Sequence, residues 1–346
     1  MLFNVESDTG DLIVLYLVPD TYSDVPAIRV TSGGVTVLEM KANEKRDSLV
    51  VAGRHETGQC GFSFDSSVVP DLASLSDLAI LDLDTSLLLY RRRQADPLPR
   101  KILNLSTSLF PPQTFDSRLR HYFQYAATQI EGHGHETVSQ LFLLKDIDSV
   151  YLSGRVLYKN YEYYIDDGFS VFLYLNDPYF SLAERLLVLA KVGQMGNPDA
   201  VLGRRDAFML QGAMEFAGGL PMADGKALRR ALRALPPEIA TAFVDPVVRL
   251  LTTTAPNEMA RQGAVAWALD TLANCAVVGI RENGDLYADM VADFLAIPRE
   301  AVPTPGVFPT VADLAKILRE EAGVEHLIEK DLELYSYVAD AFGQAP

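Results

Sequence analysis

Three apolar runs set the limits on this chain: KILNLS (101–106), SVYLSG (149–154) and FSVFLYL (169–175). Each is too short for a core helix and too continuous for a strand with one wet face. Each therefore reads as a strand buried on both sides. Helical segments separate and follow them: DSRLRHYFQYAATQ, HETVSQLFLL and SLAERLLVLAKV. Strand alternating with helix predicts an open, mainly parallel sheet. The last of these helices begins Ser181-Leu182-Ala183-Glu184, the pattern of a capping box, which gives Ser181 and Glu184 a structural task. From about residue 195 helices dominate. GKALRRALRALPP stops at a proline pair, and EMARQGAVAWALDTLAN leads into a short strand, AVVGI. DLYADMVADFLAI places Leu286, Met290, Val291 and Phe294 on one face, and the final segment spaces Ile328, Leu332, Tyr335 and Val338 as a helix does.

The first 95 residues obey a different rule. LIVLYLV, AIRVTSG, VTVLEMKA, GFSFDSS and LAILDLD are short runs rich in β-branched and apolar residues, punctuated by Gly10, Gly33-Gly34, Gly58 and Pro70. Alternation at Val35, Val37 and Glu39, and at Phe62 and Phe64, predicts a small β-sandwich. It ends at RRRQADPLPR, whose charge and prolines read as a linker. The arginine run 91–93 is expected on a solvated face of that linker, with contact to an acidic partner or a membrane headgroup as the alternative. The division is thus 1–95, a β-sandwich module, and 96–346, an α/β domain with a helical C-terminal part.

Charge and cysteine usage exclude several classes. The formal net charge is −16, the wrong sign for a general nucleic-acid binder, which needs basic surface to displace counterions. Cys60 and Cys275 lie far apart and form neither a disulfide framework nor a zinc pattern, so two free thiols are expected. No run approaches the roughly 18 apolar residues of a membrane span, and the N-terminus carries acids where a secretory leader carries basic residues. A cytoplasmic location follows by default.

The stretch ILNLSTSLFPP (102–112) is the functional crux. It has the outline of a buried strand, a loop and a helix start, a junction that holds a phosphate in many α/β proteins. Here the loop offers three hydroxyls, two prolines, no glycine and no lysine.

Longer stretches carry a resemblance. Phe172-Leu173-Tyr174-Leu175-Asn176-Asp177-Pro178 followed by Glu184-Arg185-Leu186-Leu187, then Asp245-Pro246-Val247-Val248-Arg249-Leu250-Leu251, Ala276-Val277-Val278-Gly279-Ile280-Arg281-Glu282 and Glu329-Lys330-Asp331-Leu332-Glu333-Leu334-Tyr335 come in order. Residues 100–342 thereby resemble the carbohydrate type of nucleotide-dependent sulfotransferases, through short pieces over about two thirds of the chain. The resemblance implies a P-loop-like α/β fold and transfer of a sulfuryl group from 3′-phosphoadenylyl sulfate to a sugar hydroxyl. The N-terminal part, with Lys45-Arg46-Asp47-Ser48-Leu49, Gly53, Gly58 and Gly61-Phe62-Ser63-Phe64, is similar to a β module that precedes transferases of bacterial polysaccharide synthesis.

The resemblance also assigns positions, and the departures fall on them. The donor loop maps to Ser106, Thr107 and Ser108, where the backbone-approach glycines and the lysine are missing and Pro111 and Pro112 lack an N–H. The arginine and serine that hold the donor's 3′-phosphate map to Asn176 and Glu184, with Arg185 as a substitute cation. The histidine that acts as base in some relatives maps to Arg155, which cannot accept a proton at neutral pH.

Other clusters read structurally. Glu131-Gly132-His133-Gly134-His135-Glu136 lacks a third ligand for a metal and suits a helix cap; no metal is expected. Asp166-Asp167-Gly168 reads as a turn before a strand, and Trp267 as core. Tyr158, Tyr161 and Tyr164 suit either sugar or partner contact, or packing on a sheet. Two functions follow as expectations. One is an accessory protein of exo- or capsular polysaccharide biosynthesis, with a lost or remodelled donor site, that binds carbohydrate or a synthesis protein. The other is an active transferase using 3′-phosphoadenylyl sulfate.

Overall fold

The alternation of side chains in the first hundred residues builds two antiparallel sheets. In the computed structural model, which describes residues 1–92, 96–144, 147–320 and 323–343, eight strands form there. They are β1 (Leu2–Asp8), β2 (Leu12–Val18), β3 (Ala27–Ser32), β4 (Val35–Lys41), β5 (Glu44–Lys45), β6 (Gln59–Asp65), β7 (Leu78–Asp82) and β8 (Leu88–Arg91). One sheet has the order β1-β2-β6-β5 and the other β4-β3-β7-β8. Ile13 pairs with Phe64 and Leu15 with Phe62 across β2 and β6, and Val30 pairs with Ile80 across β3 and β7. All six are buried, so register and burial agree, as a period of two requires. β1, β5 and β8 lie outside the runs marked as strands by sequence.

Five more strands form the parallel sheet: β9 (Lys101–Leu105), β10 (Tyr125–Thr128), β11 (Val150–Gly154), β12 (Phe169–Leu175) and β13 (Val277–Ile280). Their order is β10-β11-β9-β12-β13. β10 corrects the expected helix DSRLRHYFQYAATQ. A helix covers only Gln113–Leu119, a 3-10 turn follows at Arg120–Tyr122, and YAAT then alternates buried and half-buried residues as a strand does.

The chain divides into two compact units: residues 1–101, 120–127 and 133–151, and residues 102–119, 128–132 and 152–346. This differs from the single boundary at 95/96. The physical reason is that later segments bond back to the first strands. The Gln124 amide donates to the carbonyls of Arg91 (2.7 Å) and Arg92 (3.0 Å), and Tyr125 donates its hydroxyl to Leu88 O. In the helix His135–Phe142, Gln140 donates to Phe3 O and Thr137 accepts from the Met1 ammonium.

Within the first unit Arg92, expected on a solvated linker face, has other work. Arg92 is largely buried and grips Asp8 with two bonds of 2.9 Å, while donating also to the carbonyls of Leu72, Leu75 and Gly10. Burial raises the Asp8 pKa, but Arg92, Gly10 and Tyr90 outweigh it and the net direction is down. Arg93 lies outside the described residues. Replacing Arg92 with alanine strands one carboxylate and three carbonyls and is expected to cost about 2–3 kcal/mol. Arg92→Lys keeps the charge without the fork, so it should recover only part. Urea melts of the two variants check this; equal stability of all three proteins would refute it.

The second unit centres on the helix Pro178–Gly193, which buries Phe180, Leu182, Leu186 and Leu189 among the helices Gln211–Gly218 and Pro309–Glu320. Its start corrects the expected capping box. Pro178 occupies the first turn and Asp177 is the N-cap, accepting the Phe180 N–H at 3.1 Å. Ser181 and Glu184 therefore lie inside the helix, and Glu184 is free for another role. The helix Gly284–Leu295 buries Tyr287, Ala288, Val291, Ala292 and Leu295. Only Val291 of the expected face is fully buried; Leu286 is exposed. Trp267, expected in the core, is also 48% exposed.

Two helix starts cap each other. Asp331 accepts the N–H groups of Val247 (3.1 Å) and Val248 (2.8 Å) at the head of the helix Pro246–Thr252. Asp245 accepts the N–H groups of Lys330 (2.9 Å) and Asp331 (3.3 Å) at the head of the helix Glu329–Gly343. Asp245 reaches that position from a left-handed backbone, φ 43°.

Candidate functional site

In an open parallel sheet, ligands bind beyond the carboxyl ends of the strands, where the connections diverge to opposite sides. Here that point is β9. The next strands in sequence lie on its β11 side and β12 lies on the other. A cavity of about 420 Å³ opens at this point, lined by the loop 106–112, Tyr174 and Asn176 at the end of β12, Glu184, Tyr287 and the segment 303–308. That volume suits a small molecule. A larger hollow, about 660 Å³, is lined only by helical and connecting residues between 193 and 215, with Asp199 and Glu215 offsetting Arg204 and Arg205. It lies at no strand end, so the smaller cavity is the better candidate.

The loop that leaves β9 is tied at both sides. The Ser106 N–H donates to Gly154 O at 3.0 Å, and the Thr107 hydroxyl donates to Tyr174 O at 3.0 Å. Beneath it, the buried Asn104 amide donates to Asp116 and Ser153, both at 3.2 Å. The Ser106 hydroxyl donates to Ser108 O at 3.4 Å, and two further loop donors converge on one group. The Phe110 N–H reaches Glu184 Oε1 at 3.1 Å, and the Ser108 hydroxyl donates to the same oxygen. Glu184 is buried. Burial pushes its pKa up, and the bonds from Ser108 and Phe110 oppose that shift.

The walls are aromatic. Tyr287 stacks on Phe115 with ring centroids 5.9 Å apart and packs against Tyr174 at 5.1 Å. Phe110 and Phe308 meet edge to face at 5.8 Å, both about half exposed. Gly279 on β13 makes room for Tyr287, since a Cβ there would lie 2.6 Å from the tyrosine Cβ and Cγ. Neutral polar groups complete the lining: Ser106, Gln113, Asn176 and Thr304. Among the described residues no Lys, Arg or His lines this cavity. The guanidinium of Arg281 lies nearby, 3.4 Å from the centroid of the Phe180 ring.

Of the residues singled out by sequence, Ser106, Thr107, Ser108 and Asn176 come together here. Arg185 does not. Its side chain is buried and donates to Ala242 O at 3.0 Å, and burial, with Arg155 and Arg249 nearby, lowers its pKa to about 9. Arg155 is likewise absent from the lining; its guanidinium pairs with Asp206 and its N–H donates to Glu131 at 3.0 Å. Tyr158 and Tyr161 are core residues, which corrects their assignment to sugar contact. Tyr164 sits edge-on to Tyr163, the one exposed ring of that group at 81%. Asp166 ends the short helix Glu162–Asp166, Asp167-Gly168 form the turn with Gly168 at φ 125°, and Gly134 stands at the N-cap of the helix His135–Phe142.

Sequence reasoning missed Phe115, Tyr287 and the segment 303–308. The proline-rich PTPGVF was the available signal for a non-helical segment, but nothing in it points to a strand end 200 residues earlier. No helix among the described residues is long and apolar enough to cross a membrane. Comparison with family models, with curated proteins and with solved structures finds no match to this chain.

Proposed function

We propose that this protein is a binding module on a P-loop-like α/β scaffold, and that its cavity takes a neutral, hydroxylated ligand of the carbohydrate class. One observation carries the reading. The cavity lies where an α/β sheet holds its ligand, yet its walls are aromatic and neutral-polar, and Glu184, the only carboxylate lining it among the described residues, is already bonded to the loop. Aromatic faces suit the apolar faces of sugar rings, and hydroxyl and amide groups suit their hydroxyls. A sulfonated nucleotide brings several negative charges and would meet no cation at the loop. The resemblance described above supplies polysaccharide biosynthesis as the setting, and a transferase acting on a sugar hydroxyl as the second reading. The strand–loop–helix order at 102–119 favours that second reading, since it is where a nucleotide donor would lie.

Thermal melts separate the two. Neutral oligosaccharides at millimolar concentration are expected to raise Tm, because a ligand selective for the native state stabilises it, whereas adenosine 3′,5′-bisphosphate should leave it unchanged. A saturable rise with the bisphosphate, accompanied by sulfated product in turnover assays, would overturn the binding-module reading.

A further inference from the structure

The loop 106–112 keeps the donors of an oxoanion site and fills them from within. The Phe110 N–H and the Ser108 hydroxyl converge on the Glu184 carboxyl, a planar oxygen-bearing group held by the protein itself. Backbone amides and a hydroxyl aimed at one point are the groups that elsewhere cradle phosphate or sulfate. Glu184 reaches them because the helix Pro178–Gly193 starts at Asp177, which places residue 184 inside the helix and facing the loop. It is buried yet part of the cavity wall, so removing the carboxylate opens the cradle to the cavity.

We infer that Glu184 is the specificity-determining residue of this cavity: it stands in for a ligand oxoanion on the Phe110 amide and the Ser108 hydroxyl and so bars phosphorylated and sulfated ligands while leaving the aromatic space to neutral ones. The inference deepens the binding-module reading and rests on it for the identity of the ligand, but the latent oxoanion site is tested without any carbohydrate. Occupancy does the barring: Glu184 already fills the donors that a ligand oxoanion would need. A phosphate in wild-type protein would have to displace a carboxylate that makes several local hydrogen bonds.

The experiment is a phosphate and sulfate titration of Glu184→Ala, Glu184→Gln and wild type, with chloride at matched ionic strength, read by thermal melting and by the amide resonance of Phe110. Glu184→Ala should gain saturable phosphate binding. At about ten times the dissociation constant its Tm should rise on the order of 2–4 °C beyond the wild-type response, with the Phe110 amide shifting along the same isotherm. Glu184→Gln keeps an acceptor in the cradle and should respond as wild type does. If Glu184→Ala is unfolded in chloride, recovery of native circular dichroism on adding phosphate supports the inference, and no recovery overturns it. A folded Glu184→Ala with no excess phosphate response overturns it, as does wild-type protein whose Phe110 amide titrates with phosphate. Carbohydrate binding that fails in wild type, alongside phosphate binding gained in Glu184→Ala, would sink the ligand assignment and leave the role of Glu184 standing.

Discussion

Replacing Asp331 with alanine is expected to lower the unfolding free energy by about 3–5 kcal/mol, since it orphans two buried N–H groups at a helix head and removes the cap itself. The groups are those of Val247 and Val248, both residues buried, so water cannot substitute for the lost carboxyl. Asp331→Asn offers a single acceptor and should recover part of the loss. The same site carries a pH dependence. Burial pushes the Asp331 pKa up from 3.8 to about 7, against the pull of the Val248 and Val247 amides. The native state therefore holds this proton more tightly than the unfolded chain does. The stabilising contribution is complete below the unfolded pKa near 4 and is lost as pH rises through about 7. Urea midpoints for wild type between pH 4 and 8 should contain this falling component, and Asp331→Asn should lack it. An alanine variant within 1 kcal/mol of wild type, or identical pH profiles for wild type and Asn, would refute the account.

Gly279→Ala should be nearly as damaging, by a different route. The added methyl would lie 2.6 Å from the Cβ and Cγ of Tyr287, well inside contact distance. Those atoms are close to the backbone of the helix Gly284–Leu295 and cannot swing away as the tip of a flexible chain can. The ring is fully buried between Phe115 and Tyr174, so it has no second place to go. Overpacking of this kind costs about 3 kcal/mol, and more where a helix must move. Since Tyr287 also lines the cavity, ligand binding should weaken together with stability. Paired melts and titrations test this. A variant with wild-type Tm would mean that Tyr287 and its helix shift freely.

The strands were the legible part. LIVLYLV, FSVFLYL and AVVGI carry their periodicity on their face, and all three are strands in the structure. The helix start at residue 178 was not legible, because Ser181 to Glu184 satisfies the capping-box pattern locally while Asp177 and Pro178 satisfy a stronger N-terminal one four residues earlier. YAAT failed for the opposite reason: four residues of alternation are too few to outweigh the helical run before them. In the candidate site, the loop 106–112 was marked because it ends an apolar strand, and Asn176 only through the family resemblance; both line the cavity. Tyr287 and the segment 303–308 were not, since what brings them to β9 is a long-range packing choice. Arg185 shows the limit most sharply. One position along a helix turns a side chain by about 100°, so Glu184 enters the cavity and its neighbour is buried against Ala242.

The threading of the first unit through residues 1–101, 120–127 and 133–151 sets a schedule for biosynthesis. Its early strands leave the ribosome well before the segments that bond to Leu88, Arg91 and Phe3. At translation rates of about 5–20 residues per second the interval from residue 101 to 151 lasts roughly 3–10 s. During that time the apolar strands of the first unit wait for later residues of the same chain to complete their hydrogen bonds.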